Sequence, residues 1–324
     1  MSKLLTNCGQ TLLVIIFLAI IIIGPSACMD KQTVEQTRPV IPHLKFTVII
    51  DGLITQPFWA EVKNGVNRAA AITGVTANYL ALDNFNASAL SHLIDVAVST
   101  KPDGLVVSIP DCTILTPALK RAQLVGIPII SILSGNDCVS NLGLLGYINP
   151  TEYQIGLESG QKLVAAGTKH VLCVSEEIDN PEFSERCHGI NDALIQAGRK
   201  SEVLAVDHDI SLATQQIYAK LAQDHSIDAV ITLDSIDASS AIAAVQLTGR
   251  LININLATFD ISSEVLQAIQ DDAMLFAIDQ KPYARGYRSI LLLSQYKKHK
   301  SPGAIPPTDP QFITINNVQQ FKQG

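Results

Sequence analysis

Neither G-x-x-x-x-G-K-[ST] nor a G-x-G-x-x-G fingerprint after the first apolar strand occurs in this chain of 324 residues, so no phosphate cradle can be read in it. A G-x-S-x-G elbow and an H-E-x-x-H pair are also missing, which removes two common hydrolase signatures. No basic run exceeds Lys297-Lys298-His299-Lys300, which reads as a solvated helix end, and the net charge is -7. A nucleic-acid surface needs clustered Lys and Arg to displace counterions, so a nucleic-acid partner is not expected. His92, His170, His188, His208, His225 and His299 are scattered without metal spacing and no C-x-x-C occurs, so neither a metal nor a cofactor is expected. Aromatics make up only 5% of the chain against 47% hydrophobic residues, the composition of parallel strands covered by helices on both faces.

What is present begins with an export signal. Lys3 precedes an uncharged apolar stretch, Leu12 to Ile23, closed by Gly24-Pro25-Ser26-Ala27-Cys28. A short basic region, an apolar core and small residues before a cysteine suggest cleavage and lipid attachment at Cys28. The competing reading is an uncleaved anchor, because no charge falls between Lys3 and Asp30; Gly24 and Pro25 shorten the strongly apolar run to about a dozen residues, nearer a signal than a span. Either way the folded body faces outward, on the periplasmic or extracellular side of the membrane. That location argues against cytoplasmic NAD enzymes and DNA-binding repressors.

With Cys8 in the signal and Cys28 at the anchor, Cys112, Cys138, Cys173 and Cys187 remain. Two disulfides are allowed in an oxidising compartment, with three connectivities. Pairing Cys112 with Cys138 and Cys173 with Cys187 is expected, since each pair lies at neighbouring strand ends or on one βα unit. Four inert thiols are the bland alternative.

After residues 1–28, the stretch 29–44 is polar, carries Pro39 and Pro42, and reads as a tether. Strand-length apolar runs then alternate with helical patterns: Phe46–Ile50, Thr76–Leu82, Gly104–Ile109 and Ile127–Leu133, followed by a second series from Val171–Val174 to Leu275–Ile278. Such alternation implies parallel sheets with right-handed crossovers, and two series imply two similar lobes. The break lies near Leu144–Pro150, with Thr151 as a helix cap. A second crossing follows Asp279-Gln280, and a third lies within Pro302 to Pro310. Lobe 1 is thus read as 45–148 plus 281–309 and lobe 2 as 149–280 plus 310–324, joined by a three-stranded hinge, with Phe312–Ile315 adding a strand to the second lobe.

In open α/β sheets ligands sit outside the carboxyl ends of strands. After the first strand, Gln56-Pro57-Phe58-Trp59 puts two aromatics on the first turn of a helix, a flat wall for a sugar ring; Phe58 fits the core about as well as the site. The other strand ends carry Asp83, Asn84, Ser108, Asp111, Ser134, Asn136, Glu176, Asp209, Asp234, Asp260 and Gln280, groups that suit hydroxyls. Each alone is weak evidence, because strand-end Asp and Asn also cap helices, and Ser262 and Asp111 fit that role.

The segments Gln56-Pro57-Phe58-Trp59, Gly126-Ile127-Pro128-Ile129-Ile130-Ser131, Ala257-Thr258-Phe259-Asp260 and Phe276-Ala277-Ile278-Asp279-Gln280-Lys281-Pro282-Tyr283 resemble the type I periplasmic binding proteins for sugars, over roughly Lys45 to the carboxyl end. The resemblance implies a ligand set of Gln56, Phe58, Trp59, Ser134, Ser184, Asp209, Asp234, Asp260 and Gln280. It departs where ribose binders carry an Asp-Arg pair, here Leu133-Ser134, and where they place an arginine, here Ser184, with Arg186 as a neighbouring structural arginine. Without those guanidinium forks a ribose-like pose is not expected. The function implied is capture of a sugar or related polyol by a monomer that delivers it to an ABC permease. The alternative is a sensory receptor that presents the same ligand to a chemoreceptor or membrane kinase. An enzyme with Asp234 and Asp260 as an acid/base pair is disfavoured by the lack of a nucleophile motif.

Overall fold

The computed structural model describes residues 43–52, 56–82, 86–132, 135–148, 152–301 and 308–321. The signal, Cys28 and nearly all of the tether lie outside the described residues, as do Asp83, Asn84, Ser134 and Thr151.

Five strands form the first sheet: β1 (Lys45–Ile50), β2 (Thr76–Ala81), β3 (Gly104–Val107), β4 (Ile129–Ile132) and β5 (Gly146–Ile148). They pair in the order β2-β1-β3-β4-β5, all parallel. Helices α1 (Pro57–Thr73), α2 (Ala87–Ser99), α3 (Cys112–Leu124) and α4 (Asn136–Leu142) connect them. The inner strands are buried along their whole length, which is why Gly104–Val107 reads as an unbroken apolar run and Ile129–Ile132 as one interrupted only by Ser131. Side-chain alternation still sorts them by face: Ile49, Leu105 and Val107 pack under α2 and α3, whereas Phe46, Val48, Ile50 and Val106 pack on the other side with Val62 and Val66 of α1.

The second sheet follows α5 (Glu152–Ala165) and contains β6 (His170–Ser175), β7 (Lys200–Ala205), β8 (Ala229–Thr232), β9 (Asn255–Phe259), β10 (Phe276–Asp279) and β11 (Gln311–Ile313). Its order is β11-β10-β9-β8-β6-β7. Between these strands run α6 (Pro181–Gln196), α7 (Ile210–Gln223), α8 (Ser235–Thr248) and α9 (Ser263–Gln270), and α10 (Pro282–His299) lies between β10 and β11. The α10 residues Ile290, Leu292 and Leu293 belong to the core of the first sheet. The chain therefore passes between lobes after β5, after β10 and before β11. The helix between β10 and β11, α10, packs on the first sheet and so makes no crossover over the second, and β11 pairs antiparallel with β10, the single exception to the parallel pattern among the described residues.

Each lobe contains one tightly apposed helix pair. A Cβ on Gly65 of α1 would lie 2.0 Å from the Tyr283 carbonyl oxygen of α10, and one on Gly156 of α5 would lie 2.2 Å from the Arg186 carbonyl oxygen of α6. Each lobe also contains one disulfide: Cys112–Cys138 joins α3 to α4, and Cys173–Cys187 joins β6 to α6. No helix among the described residues is long and apolar enough to cross a membrane.

Candidate functional site

The carboxyl ends of the strands in the two lobes face a shared cleft of about 640 Å³, part of it continuous with solvent. From lobe 1 come Asp51, at the end of β1, and the start of α1. Pro57 opens that helix with its fixed φ, and the next two residues enter the cleft. The rings of Phe58 and Trp59 meet edge to face, centroids 5.1 Å apart. Gly52 holds the indole close, since a Cβ there would lie 2.1 Å from Trp59 Nε1.

Lobe 2 supplies Glu176 after β6, Asp234 after β8, Asp260 after β9 and Gln280 after β10. Asp234 caps α8, its Oδ1 accepting from the N–H groups of Ile236 (2.8 Å) and Asp237 (2.7 Å). Asp260 adopts φ of 62° and accepts a 2.7 Å hydrogen bond from Gln280 Nε2. The other end of that amide, Gln280 Oε1, accepts from an Nη of Arg186 at 3.2 Å. Arg186 also donates through Nε to Glu152 Oε2 at 2.7 Å and through its other Nη to the Leu233 carbonyl at 2.9 Å. Its guanidinium stacks 4.5 Å from the Phe259 ring and 5.1 Å from that of Phe183. A continuous chain of contacts, Glu152 to Arg186 to Gln280 to Asp260, thus links the first turn of α5 and the end of β10, both beside interlobe crossings, with the cleft floor.

Burial and mutual repulsion dominate the acids. Desolvation lifts Asp260 to about 7 against the opposing pull of Arg186 and Gln280. Asp51 rises to about 6, again through burial, with the Ser108 hydroxyl opposing and Glu177 adding. Glu176 is pushed up to about 10 by desolvation and by the charges of Asp234 and Asp237. Asp237 itself is raised by burial and by Asp234, although it accepts from the Glu176 backbone N–H at 3.1 Å. Burial works against the charge on Arg186, but Glu152 and Asp260 outweigh it and hold the guanidinium protonated.

Of the residues read from the sequence, the structure brings Gln56, Phe58, Trp59, Glu176, Asp234, Asp260 and Gln280 into one cleft. Ser134 lies outside the described residues. Asp209 does not line the cleft: it is exposed and caps α7 through the N–H groups of Ser211 and Leu212. Ser184 is exposed and lines a separate groove on lobe 2, whereas Arg186, two residues on, points inward. Asp111 and Ser262 cap α3 and α9.

Sequence reading missed Asp51, Glu177, Asn180 and Phe183 as cleft residues. A signal for Phe183 existed. Pro181 opens α6 as Pro57 opens α1, and the residue two beyond each proline, Phe183 or Trp59, is an aromatic facing the cleft. The two lobes repeat that device.

A family model described as a periplasmic binding protein domain matches residues 46–301. The chain is similar to the crystal structure of a carbohydrate transporter from Acidothermus cellulolyticus in complex with myo-inositol, at 34% identity and a TM-score of 0.80 over 86% of this chain and 96% of that one. It is 22% identical over 293 residues to the xylose/arabinose-binding protein XylF of Sulfolobus acidocaldarius, covering 85% of this chain and 72% of the relative. It is also 23% identical over 284 residues to the HTH-type transcriptional repressor PurR of Aliivibrio salmonicida, covering 85% and 83% of the two chains. One scaffold thus serves a binder and a repressor, and the site has to decide between them.

Proposed function

This chain belongs to the periplasmic binding protein family, and from that membership we propose that it captures a sugar or related polyol in the interlobe cleft for delivery to an ABC importer. The family and fold are those of extracytoplasmic solute-binding proteins, not of enzymes. The observation that carries the proposal is the division of the cleft: an aromatic wall, Phe58 and Trp59, stands opposite the directional acceptors and amide of Asp234, Asp260 and Gln280. A ring with one apolar face and a rim of hydroxyls needs that pairing, because stacking covers the face while hydrogen bonds replace the water lost from the rim.

In this reading the lobes close about the three crossings. The ligand drives closure only through its greater affinity for the closed form, where both walls touch it at once. Closed lobes then present the permease with a surface that the open form lacks. The protein acts as a monomer held to the membrane by lipid on Cys28, and the stretch 29–44 gives it reach. Reading Lys3 to Cys28 as an export signal suits a solute binder rather than the repressor relative, because the cleft would then face outward.

Titration with a panel beginning with myo-inositol, D-xylose and L-arabinose, read by the fluorescence of Trp59, tests the proposal. Trp59 is the single tryptophan of the chain, so the signal has one source. A saturable change with the cognate ligand is expected, and Asp260→Ala should weaken binding about 100-fold by removing a buried acceptor. Retained affinity in that variant would remove Asp260 from the site, and silence across the whole panel would sink the sugar reading.

A further inference from the structure

The cleft is defined by its aromatic walls, its open volume and the family, independently of its charge. Its charge then says what kind of ligand belongs there. Asp51, Glu176, Asp234 and Asp260 all line it, with Glu177 and Glu182 beside them. Arg186 is the one cation among the described lining residues and is already committed to Glu152, the Leu233 carbonyl and Gln280; beyond the lining, His208 Nδ1 approaches Glu176 Oε2 at 3.3 Å and Arg285 acts on Asp260.

Hydrogen-bond chemistry points the same way. Asn180 Nδ2 donates to Glu177, and Gln280 Nε2 donates to Asp260, so the side-chain amides of lobe 2 serve protein acceptors. Carboxyl groups dominate the polar lining, beside which stand the Trp59 indole N–H, the Gln56 amide and the Ser235 hydroxyl as donors. A hydroxyl brings one donor and lone pairs of its own, and those lone pairs face carboxylate oxygens here. An ammonium brings three donors and no acceptor. The aromatic faces of Trp59, Phe58 and Phe183 add an attraction for cations that they do not offer a neutral ring.

We propose that the ligand of this cleft carries a protonated amine, as an amino sugar or amino-substituted cyclitol does, with the ammonium between Glu176 and Asp234 and the ring against Trp59. The inference rests on the carbohydrate reading above and narrows it. It also accounts for the repulsion among Glu176, Asp234 and Asp237, which burial sharpens and which a bound cation would relieve. Burial and the neighbouring Asp234 and Asp237 raise Glu176, which also faces His208 Nδ1 at 3.3 Å, so seating an ammonium there favours release of its proton.

Calorimetry with matched pairs tests this: D-glucose against D-glucosamine, and myo-inositol against scyllo-inosamine, with N-acetyl-D-glucosamine as the uncharged control. The amine of at least one pair should bind ten-fold or more tightly than its hydroxyl partner, acetylation should remove the gain, and the heat should depend on the buffer's ionisation enthalpy. Glu176→Gln should reduce the preference to a few-fold. Equal or tighter binding of the neutral members would overturn the amine inference and leave the carbohydrate reading standing. Tight amine binding that survives acetylation would overturn it as well, since charge would then not be what is recognised, whatever the stability of the variant. Absence of binding by every probe would remove both.

Discussion

The two lobes share a plan and differ in their chemistry. Each has a parallel sheet, a helix pair drawn close at glycine, a single disulfide, and a helix opened by proline that carries an aromatic into the cleft. Lobe 1 nevertheless contributes mainly Phe58 and Trp59, with Asp51 its one acid in the cleft, whereas lobe 2 contributes Glu176, Asp234, Asp260 and the buried Glu152–Arg186 pair behind them. The core must satisfy packing in both halves, so both halves solve it alike. Strand-end residues carry no such burden, and there the halves are free to diverge.

The largest break in that comparison should come from the polar lattice that only lobe 2 possesses. Arg186→Met leaves Glu152 buried without its partner and frees Gln280, and a loss of about 3–5 kcal/mol in unfolding free energy is expected by denaturant titration. The Glu152–Arg186 pair lies wholly within lobe 2, so the loss should be confined to the lobe 2 transition if the two unfold separately.

The disulfides test the shared part of the plan. Replacing Cys112 and Cys138 by serine should cost about 3 kcal/mol or slightly more, and replacing Cys173 and Cys187 about 3 kcal/mol, because loop-closure entropy changes slowly with the separations of 26 and 14 residues. Near-equal losses would support lobes of matched construction. A loss in one lobe alone would break the parallel.

A smaller effect follows from pH. The folded state raises Asp51 from 3.8 to about 6 and Asp260 from 3.8 to about 7, and raises Glu176 and Asp237 in the same direction, so it holds their protons more tightly than the unfolded chain does. Stability is therefore greatest below their unfolded values and falls as pH rises through 6 and 7. The melting temperature of the ligand-free protein should drop by about 5 °C between about pH 5 and pH 8. Asp260→Asn should flatten more of that slope than Asp51→Asn, which would assign the larger share to lobe 2.

Smallest is the stacking term. Trp59→Ala should weaken ligand binding about ten-fold while leaving unfolding nearly unchanged, since the half-buried indole borders the cleft. Phe183→Ala, its counterpart in lobe 2, sharpens the comparison: a similar loss would show that both aromatic faces hold the ring.

How much of this was legible beforehand depended on how local each feature is. Every strand of both sheets overlaps a strand-length run read in the sequence, most clearly the inner strands such as β3 and β8, which are buried on both faces, and least so the partly exposed edge strands β2 and β7. The antiparallel β11 was legible as a strand but not in its direction, which depends on where α10 leaves the chain. Asp209 and Asp234 show the limit most clearly. Both follow a strand of lobe 2 and both cap the next helix through two backbone N–H groups. Only sheet order separates them: β7 is an edge strand, so Asp209 ends on the rim, while β8 is central and Asp234 opens onto the cleft. Ser184 and Arg186 differ in the same way by helical phase, two residues being about 200° of rotation.

By itself, then, the sequence determined the alternation of elements, the division into two series and the presence of aromatics and carboxylates at strand ends, since periodicity, burial and turn chemistry act over a few residues. The tertiary structure alone decided which of those strand ends converge, how Arg186 came to be committed inside the protein, and why carboxyl groups outnumber cations along the described cleft lining. Those outcomes depend on strand order and helix phase, which are set by contacts between residues far apart along the chain.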